Sequence, residues 1–162
     1  MRRRSLLELA VAAGSGLVAS KWHVGAHGRP TPAAASGPQP LRRGSRLRAL
    51  NPGTWIEPDV DFNVLVQRCE QEGWVLELPD AVRGQWQWFS ATDAQRRDAI
   101  ASAWRDPSLD GVIYVGGGWG AARVLEAGLK FPDRPLWALG FSDSSALLLA
   151  QWQAGLQGAV HG

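Results

Sequence analysis

Two short segments concentrate the residue types that could do chemistry. The first is Gly140-Phe141-Ser142-Asp143-Ser144-Ser145, set between an apolar run and an apolar helix-forming stretch. A serine in a sharp strand-to-helix turn is lifted out of the sheet and placed at a helix N-terminus. There the helix dipole favours its alkoxide, and the next residue's N–H can face a developing oxyanion. The nucleophile-elbow formula G-x-S-x-G is met only in part, because Ser144 holds the fifth position. The competing reading is a plain helix cap, since Ser142, Asp143 and Ser144 are all good N-cap residues. The second segment is Val115-Gly116-Gly117-Gly118-Trp119-Gly120. Glycines at such a turn let backbone N–H groups approach an oxyanion, phosphate or carboxylate. Gly116, Gly118 and Ala121 also satisfy G-x-G-x-x-A, the dinucleotide fingerprint. That fingerprint needs an acid about 20 residues on, at the end of the next strand; Asp133 is too early and Asp143 lies in a different turn. A tight turn that simply needs glycine remains the competing reading here.

A serine nucleophile needs a base. Beyond residue 45 the only histidine is His161 and the only lysine is Lys130. His161 is penultimate, and Lys130 sits at a helix end with no reason to be desolvated, so these residues do not complete a triad. A metal centre is not expected: the single cysteine, Cys69, excludes a cysteine cluster and an internal disulfide framework. His23 and His27 stand among Gly25, Gly28 and Pro30, which argue against a helix that could hold them together as ligands.

The elements that must position the two loops follow from periodicity. Arg46–Leu50 reads as a strand stopped by Asn51-Pro52-Gly53. Asp59 to Glu72 reads as a helix, with Phe62, Leu65, Val66 and Cys69 on one stripe and Gly73 as its stop. Cys69 is therefore expected as a small buried hydrophobe rather than a reactive thiol. Trp74–Leu78 is a second strand, and Thr92 with Gln95 has capping-box spacing for a helix to about Arg105. Gly111–Val115, Trp119–Leu129, Leu136–Leu139, Ser142–Ala154 and Gly158–His161 then read as strand, helix, strand, helix and strand. This alternation predicts an α/β fold, a three-layer flavodoxin- or Rossmann-like arrangement with a parallel sheet and helices on both faces. Functional groups should collect at the carboxyl ends of the strands. Among nine tryptophans, Trp74, Trp104 and Trp137 are expected in the core. Trp86 and Trp88, in a loop, are open to a substrate cleft or to packing under another domain.

Charge divides the 162 residues unevenly. Nine of the 17 basic residues and one of the 15 acidic ones precede residue 49, so the globular part is mildly acidic. Nucleic-acid binding by that part loses its electrostatic basis. Residues 1–20 have the layout of an export signal, and Arg3-Arg4-Ser5-Leu6-Leu7 resembles a twin-arginine signal. Periplasmic or exported localisation is the expectation, against a basic tail or displaced start codon on a cytoplasmic protein. The apolar run is too short and interrupted for a membrane span. Residues 21–45 read as a Pro/Gly/Ala linker without fixed structure, and 46–162 as the folded domain.

From about Leu41 to Gly162 the sequence resembles the amino-terminal domain of the serine LD-carboxypeptidases, the family that includes the microcin C immunity peptidases. Phe89-Ser90-Ala91-Thr92-Asp93-Ala94-Gln95-Arg96 resembles the family's F-A-G-T-D-x-x-R. Gly117-Gly118-Trp119-Gly120 with Arg123-Val124-Leu125 is similar to R-G-G-Y-G-x-x-R-L-L, Gly140 to Ser145 to G-Y-S-D-x-T, and His161-Gly162 to the start of H-G-P. The resemblance implies Ser142 as nucleophile and backbone N–H groups of Asp143 and Gly117 as the oxyanion hole. It also implies removal of the terminal D-alanine from peptidoglycan tetrapeptides without metal or cofactor. Gly116 replaces the family's usual arginine, and Trp119 and Phe141 replace tyrosines. In the family the relay Glu and His come from a second, carboxy-terminal domain; His161 matches neither. The expectation is a truncated or split product carrying the nucleophile half. It would be inactive alone, needing the second domain in trans; a homodimer is left open. The alternative is a non-catalytic α/β module that binds a peptide or nucleotide. A third reading is a degenerate fragment that does not stay folded, its missing partner surface leaving an apolar patch near Trp152 and the last strand.

Overall fold

The computed structural model describes residues 37–162; the segment expected to be an export signal, His23, His27 and the part of the expected linker up to residue 36 lie outside the described residues. Five strands, β1 (Arg46–Leu50), β2 (Val75–Glu77), β3 (Gly111–Tyr114), β4 (Trp137–Gly140) and β5 (Ala159–His161), form one sheet in the order β2-β1-β3-β4-β5. Every pairing is parallel. Four α-helices join them: α1 (Asn63–Glu72), α2 (Asp93–Arg105), α3 (Ala121–Glu126) and α4 (Ser145–Gln153).

Side-chain alternation splits the core into two layers, one on each face of the sheet. Leu50, Val112, Tyr114 and Ala138 face one way and pack with Ile100 and Trp104 of α2, Val124 of α3 and Leu147 of α4. Leu47, Ala49, Ile113 and Val115 face the other way and pack with Phe62 and Cys69 of the α1 region. Trp104 is completely buried, with its indole N–H 3.4 Å from the Tyr114 hydroxyl. Burial raises the Cys69 thiol pKa, which keeps it protonated at neutral pH. Residues Trp137, Leu139 and Val160, in register with Gly111 and Ile113, continue the α1 face across β4 and β5. With Leu41, Leu47 and Trp74 they line an apolar cleft of about 200 Å³.

The expected elements are present, with shifted ends. α1 starts at Asn63 rather than Asp59, because Glu57–Val60 forms a turn and the Asp61 carboxylate accepts the Asn63 N–H. Gly73 ends α1 in the left-handed region (φ 76°), donating to Cys69 and Glu70 carbonyls. The Thr92–Gln95 capping box forms as its spacing predicts. The helix expected over Trp119–Leu129 shortens to Ala121–Glu126, since Trp119 and Gly120 complete the glycine loop. Ser142–Ala154 divides into a 3-10 turn at Ser142–Ser144 and α4. Residues 37–45, assigned above to an unstructured linker, lie against the domain. Gln39 accepts the Trp137 indole N–H at 2.8 Å, and Gly44 donates to the Gly73 carbonyl at 2.7 Å. Trp74 and Trp137 are half-buried rather than fully enclosed. Trp152 is 65% exposed beside Leu149, and Val160 is also exposed, so apolar surface lies where the sequence placed it.

Candidate active site

The chain runs from β1 to one side of the sheet and from β3 to the other, so the strand order reverses between β1 and β3. Functional loops of α/β sheets gather at such a point, and here the loops leaving the two strands meet, the Thr54 N–H donating to the Gly117 carbonyl at 3.3 Å. Asn51–Thr54 follows β1, the glycine loop follows β3, and the Ser142 corner follows the neighbouring β4. All three sequence-expected residues, Ser142, Asp143 and Gly117, lie on these loops at the carboxyl ends of β3 and β4.

Ser142 has φ 55°, in the left-handed region, which a non-glycine residue occupies at a cost of about 1–2 kcal/mol. Its surroundings hold it there. The Phe141 N–H donates to Ser144 Oγ (2.9 Å), and that hydroxyl donates back to the Phe141 carbonyl (2.8 Å). Ser144 is buried, and a Cβ on Gly140 would stand 2.6 Å from its Oγ. Ser144 thus replaces the elbow's last glycine with a clasp. The Ser142 side chain is exposed, and among the described residues it makes no hydrogen bond. The N–H groups of Ser142 and Asp143 open the turn and have no preceding helical carbonyl to serve.

Gly117 faces this serine: a Cβ built on it would stand 4.0 Å from both Cβ and Oγ of Ser142. The Gly117 carbonyl turns away, accepting from Thr54 Oγ1 (2.9 Å) and Thr54 N–H (3.3 Å). Asp143 Oδ2 accepts the Ala121 N–H at 2.8 Å, capping α3. The Asp143 side chain therefore joins the serine corner to the end of the glycine loop, a role its spacing did not announce. His161 pairs with Gly140 in the sheet, and its ring lies 5.6 Å from the Phe141 ring. Lys130 lies beyond α3, and neither basic residue hydrogen-bonds Ser142. Among the described residues no group of three or more His, Cys, Asp or Glu is placed to hold a metal ion, and no helix is long and apolar enough to cross a membrane.

A second layer of residues fixes the loops. Arg96 is only 2% exposed. Its Nη1 donates to the Pro52 carbonyl and to the Gly120 carbonyl (3.0 Å), so one guanidinium ties the turn after β1 to the glycine loop. Asp93 accepts from Arg96 and, through both oxygens, from Arg123. The Arg123 hydrogen bond, joined by that of Arg96 and opposed by desolvation, holds the Asp93 carboxyl below its ordinary pKa. Both arginines lie on the Phe89 ring, at 4.7 and 5.1 Å, and Trp119 meets it edge-on at 4.6 Å. Asn51 orders the first turn: its amide donates to the Thr54 and Val82 carbonyls and its oxygen accepts the Gly53 N–H. The sequence marked Phe89–Arg96 and Arg123 only as motif positions. Their contacts show a positioning frame.

Residues 49–162 match the family model described as the LD-carboxypeptidase N-terminal domain. The chain belongs to the LD-carboxypeptidase family. A Synechocystis sp. protein with a provisional carboxypeptidase name is 31% identical over 127 residues, covering 77% of this chain and 42% of the relative. The murein tetrapeptide carboxypeptidase of Pseudomonas aeruginosa is 30% identical over 123 residues, covering 72% and 38%. The chain thus spans about two fifths of the length of these relatives. An MccF-like protein from Bacillus anthracis shares the fold with a TM-score of 0.65 at 21% identity, over 75% of this chain and 38% of that one. These likenesses place the α/β domain in the family.

Proposed function

We propose that the LD-carboxypeptidase domain described here presents Ser142 as the nucleophile of a serine-type carboxypeptidase. Its substrate on this reading is a muropeptide whose terminal D-alanine follows an L-centred diamino acid. The name of the Pseudomonas aeruginosa relative supports the substrate class. The left-handed Ser142 corner, set against Gly117, carries the reading.

Ser142 Oγ attacks the peptide carbonyl carbon and its proton passes to a base. The negative charge on the carbonyl oxygen is met by N–H groups of Asp143 and the glycine loop. The C–N bond breaks, the base returns the proton to the departing D-alanine amine, and water hydrolyses the acyl-enzyme. The base and its acidic partner come, on this reading, from the family's carboxy-terminal domain, so residues 1–162 alone turn over little or no substrate.

The test is a fluorophosphonate probe, in which Ser142 Oγ bonds phosphorus and fluoride leaves. With a family carboxy-terminal domain added to supply the base, we expect labelling of the wild-type chain at Ser142, none in Ser142→Ala, and D-alanine release from tetrapeptide. Absence of Ser142 labelling with that domain present overturns the reading. The three glycines after β3 and the opening N–H groups of the Ser142 turn, which need no base to hold an anion, support the second reading, a domain that only binds a peptide or nucleotide. Tetrapeptide binding with no labelling would select it.

A further inference from the structure

One contact fixes the direction of a glycine-loop peptide, and it comes from a residue outside every motif considered above. Thr54 gives both of its donors, Oγ1–H and backbone N–H, to the carbonyl oxygen of Gly117. No cis peptide bond occurs among the described residues. In a planar trans peptide the C=O and the following N–H point in opposite directions. Holding the Gly117 oxygen on Thr54 therefore turns the Gly118 N–H away from the turn after β1. The fit is close on all sides. A Cβ on Gly53 would stand 2.6 Å from that same oxygen, and a Cβ on Gly118 would stand 2.7 Å from Thr54 Oγ1. Thr54 is itself held, because its carbonyl accepts from Asn51 Nδ2 at 2.9 Å.

Glycine on both sides of a peptide lets it rotate at little steric cost. Without an anchor, the 117–118 peptide can exchange its two directions and present an oxygen where it now presents an N–H. An oxygen there repels the negative charge that the loop is proposed to receive.

We infer that Thr54 is a positioning residue. It anchors the Gly117 carbonyl so that the glycine loop presents N–H groups, that of Gly118 included, to the oxyanion formed at Ser142. This deepens the proposed function and rests on it.

The test compares Thr54→Val, which keeps the shape and loses the hydroxyl, with Thr54→Ser, which restores the donor. Two quantities are read on the whole chain: the rate of fluorophosphonate labelling at Ser142 with a family carboxy-terminal domain added, and the NMR resonances of the Gly117 carbonyl and Gly118 amide. We expect Thr54→Val to label at least ~10-fold more slowly, in line with the loss of part of an oxyanion-hole donor. Both resonances should shift, and Thr54→Ser should restore rate and resonances. A Thr54→Val chain that is folded by circular dichroism and labels at the wild-type rate overturns the inference. A wild-type chain left unlabelled in the presence of that domain overturns the nucleophile reading instead. In that event, shifted Gly117 and Gly118 resonances in Thr54→Val still support the anchor, and unshifted ones overturn it.

Discussion

Asp143 Oδ2 accepts the backbone N–H of Ala121 at 2.8 Å, so the residue after the candidate nucleophile is also the cap of the helix that follows the glycine loop. One side chain thereby sets the distance between the two loops. Asp143→Ala should lower stability by about 1.5 kcal/mol, the low end for a hydrogen bond to a charged group. It should also raise the hydrogen-exchange rate at the Ala121 amide, whereas Asp143→Asn keeps an acceptor and should lose less. Chemical denaturation and amide exchange check both.

The left-handed backbone at Ser142 gives a second prediction. Glycine adopts this conformation without steric penalty, so Ser142→Gly should be more stable than Ser142→Ala by about 1 kcal/mol. Urea denaturation of the two variants measures the difference. Equal stability would mean that the corner stores no strain.

Arg96 bonds two backbone carbonyls and a carboxylate from a nearly inaccessible position. Arg96→Ala leaves those acceptors without their donor and should cost about 3 kcal/mol. Arg96→Lys should recover only part of this, because an ammonium lacks the fork that reaches in several directions. Equilibrium unfolding of both variants is the measurement.

Asp93 supplies a pH dependence whose sign is fixed. Its folded-state pKa lies below the ordinary value of 3.8, first through the Arg123 hydrogen bond and further through Arg96. The stabilisation is therefore complete above that ordinary value and is lost as pH falls through it toward the folded-state value. Asp93→Asn should flatten the acid limb of a stability-against-pH curve below about pH 4. An unchanged limb in thermal melts across that range would contradict the assignment.

What the sequence disclosed depended on how local the physics was. The α2 capping box was legible because Thr92 and Gln95 are three residues apart and act on each other. The parallel sheet could be built from the alternation of strands and helices, though not the order of its strands, and the Ser142 corner from glycine and serine at a strand end. Thr54 was invisible because its partner lies 63 residues away and a lone threonine after a turn has no signature. The Asp143 side chain has no local signature for a similar reason: its place after the serine points to its N–H, while its carboxylate acts 22 residues upstream. The early end of α3 was missed because the apolar pattern continues past Glu126, while the Ala127 N–H already closes on Arg123.

The pairing of β3 with β4, Ile113 opposite Leu139, makes the sheet a ruler for the chemistry above it. Neighbouring strands lie about 4.8 Å apart, and the loops on these two inherit that spacing before any of their own bonds form. A slip of one residue would raise one loop by about 3.3 Å and turn Leu139 and Trp137 to the opposite face. The alignment of serine and glycines is thus decided beneath them, by which apolar side chains fit each layer.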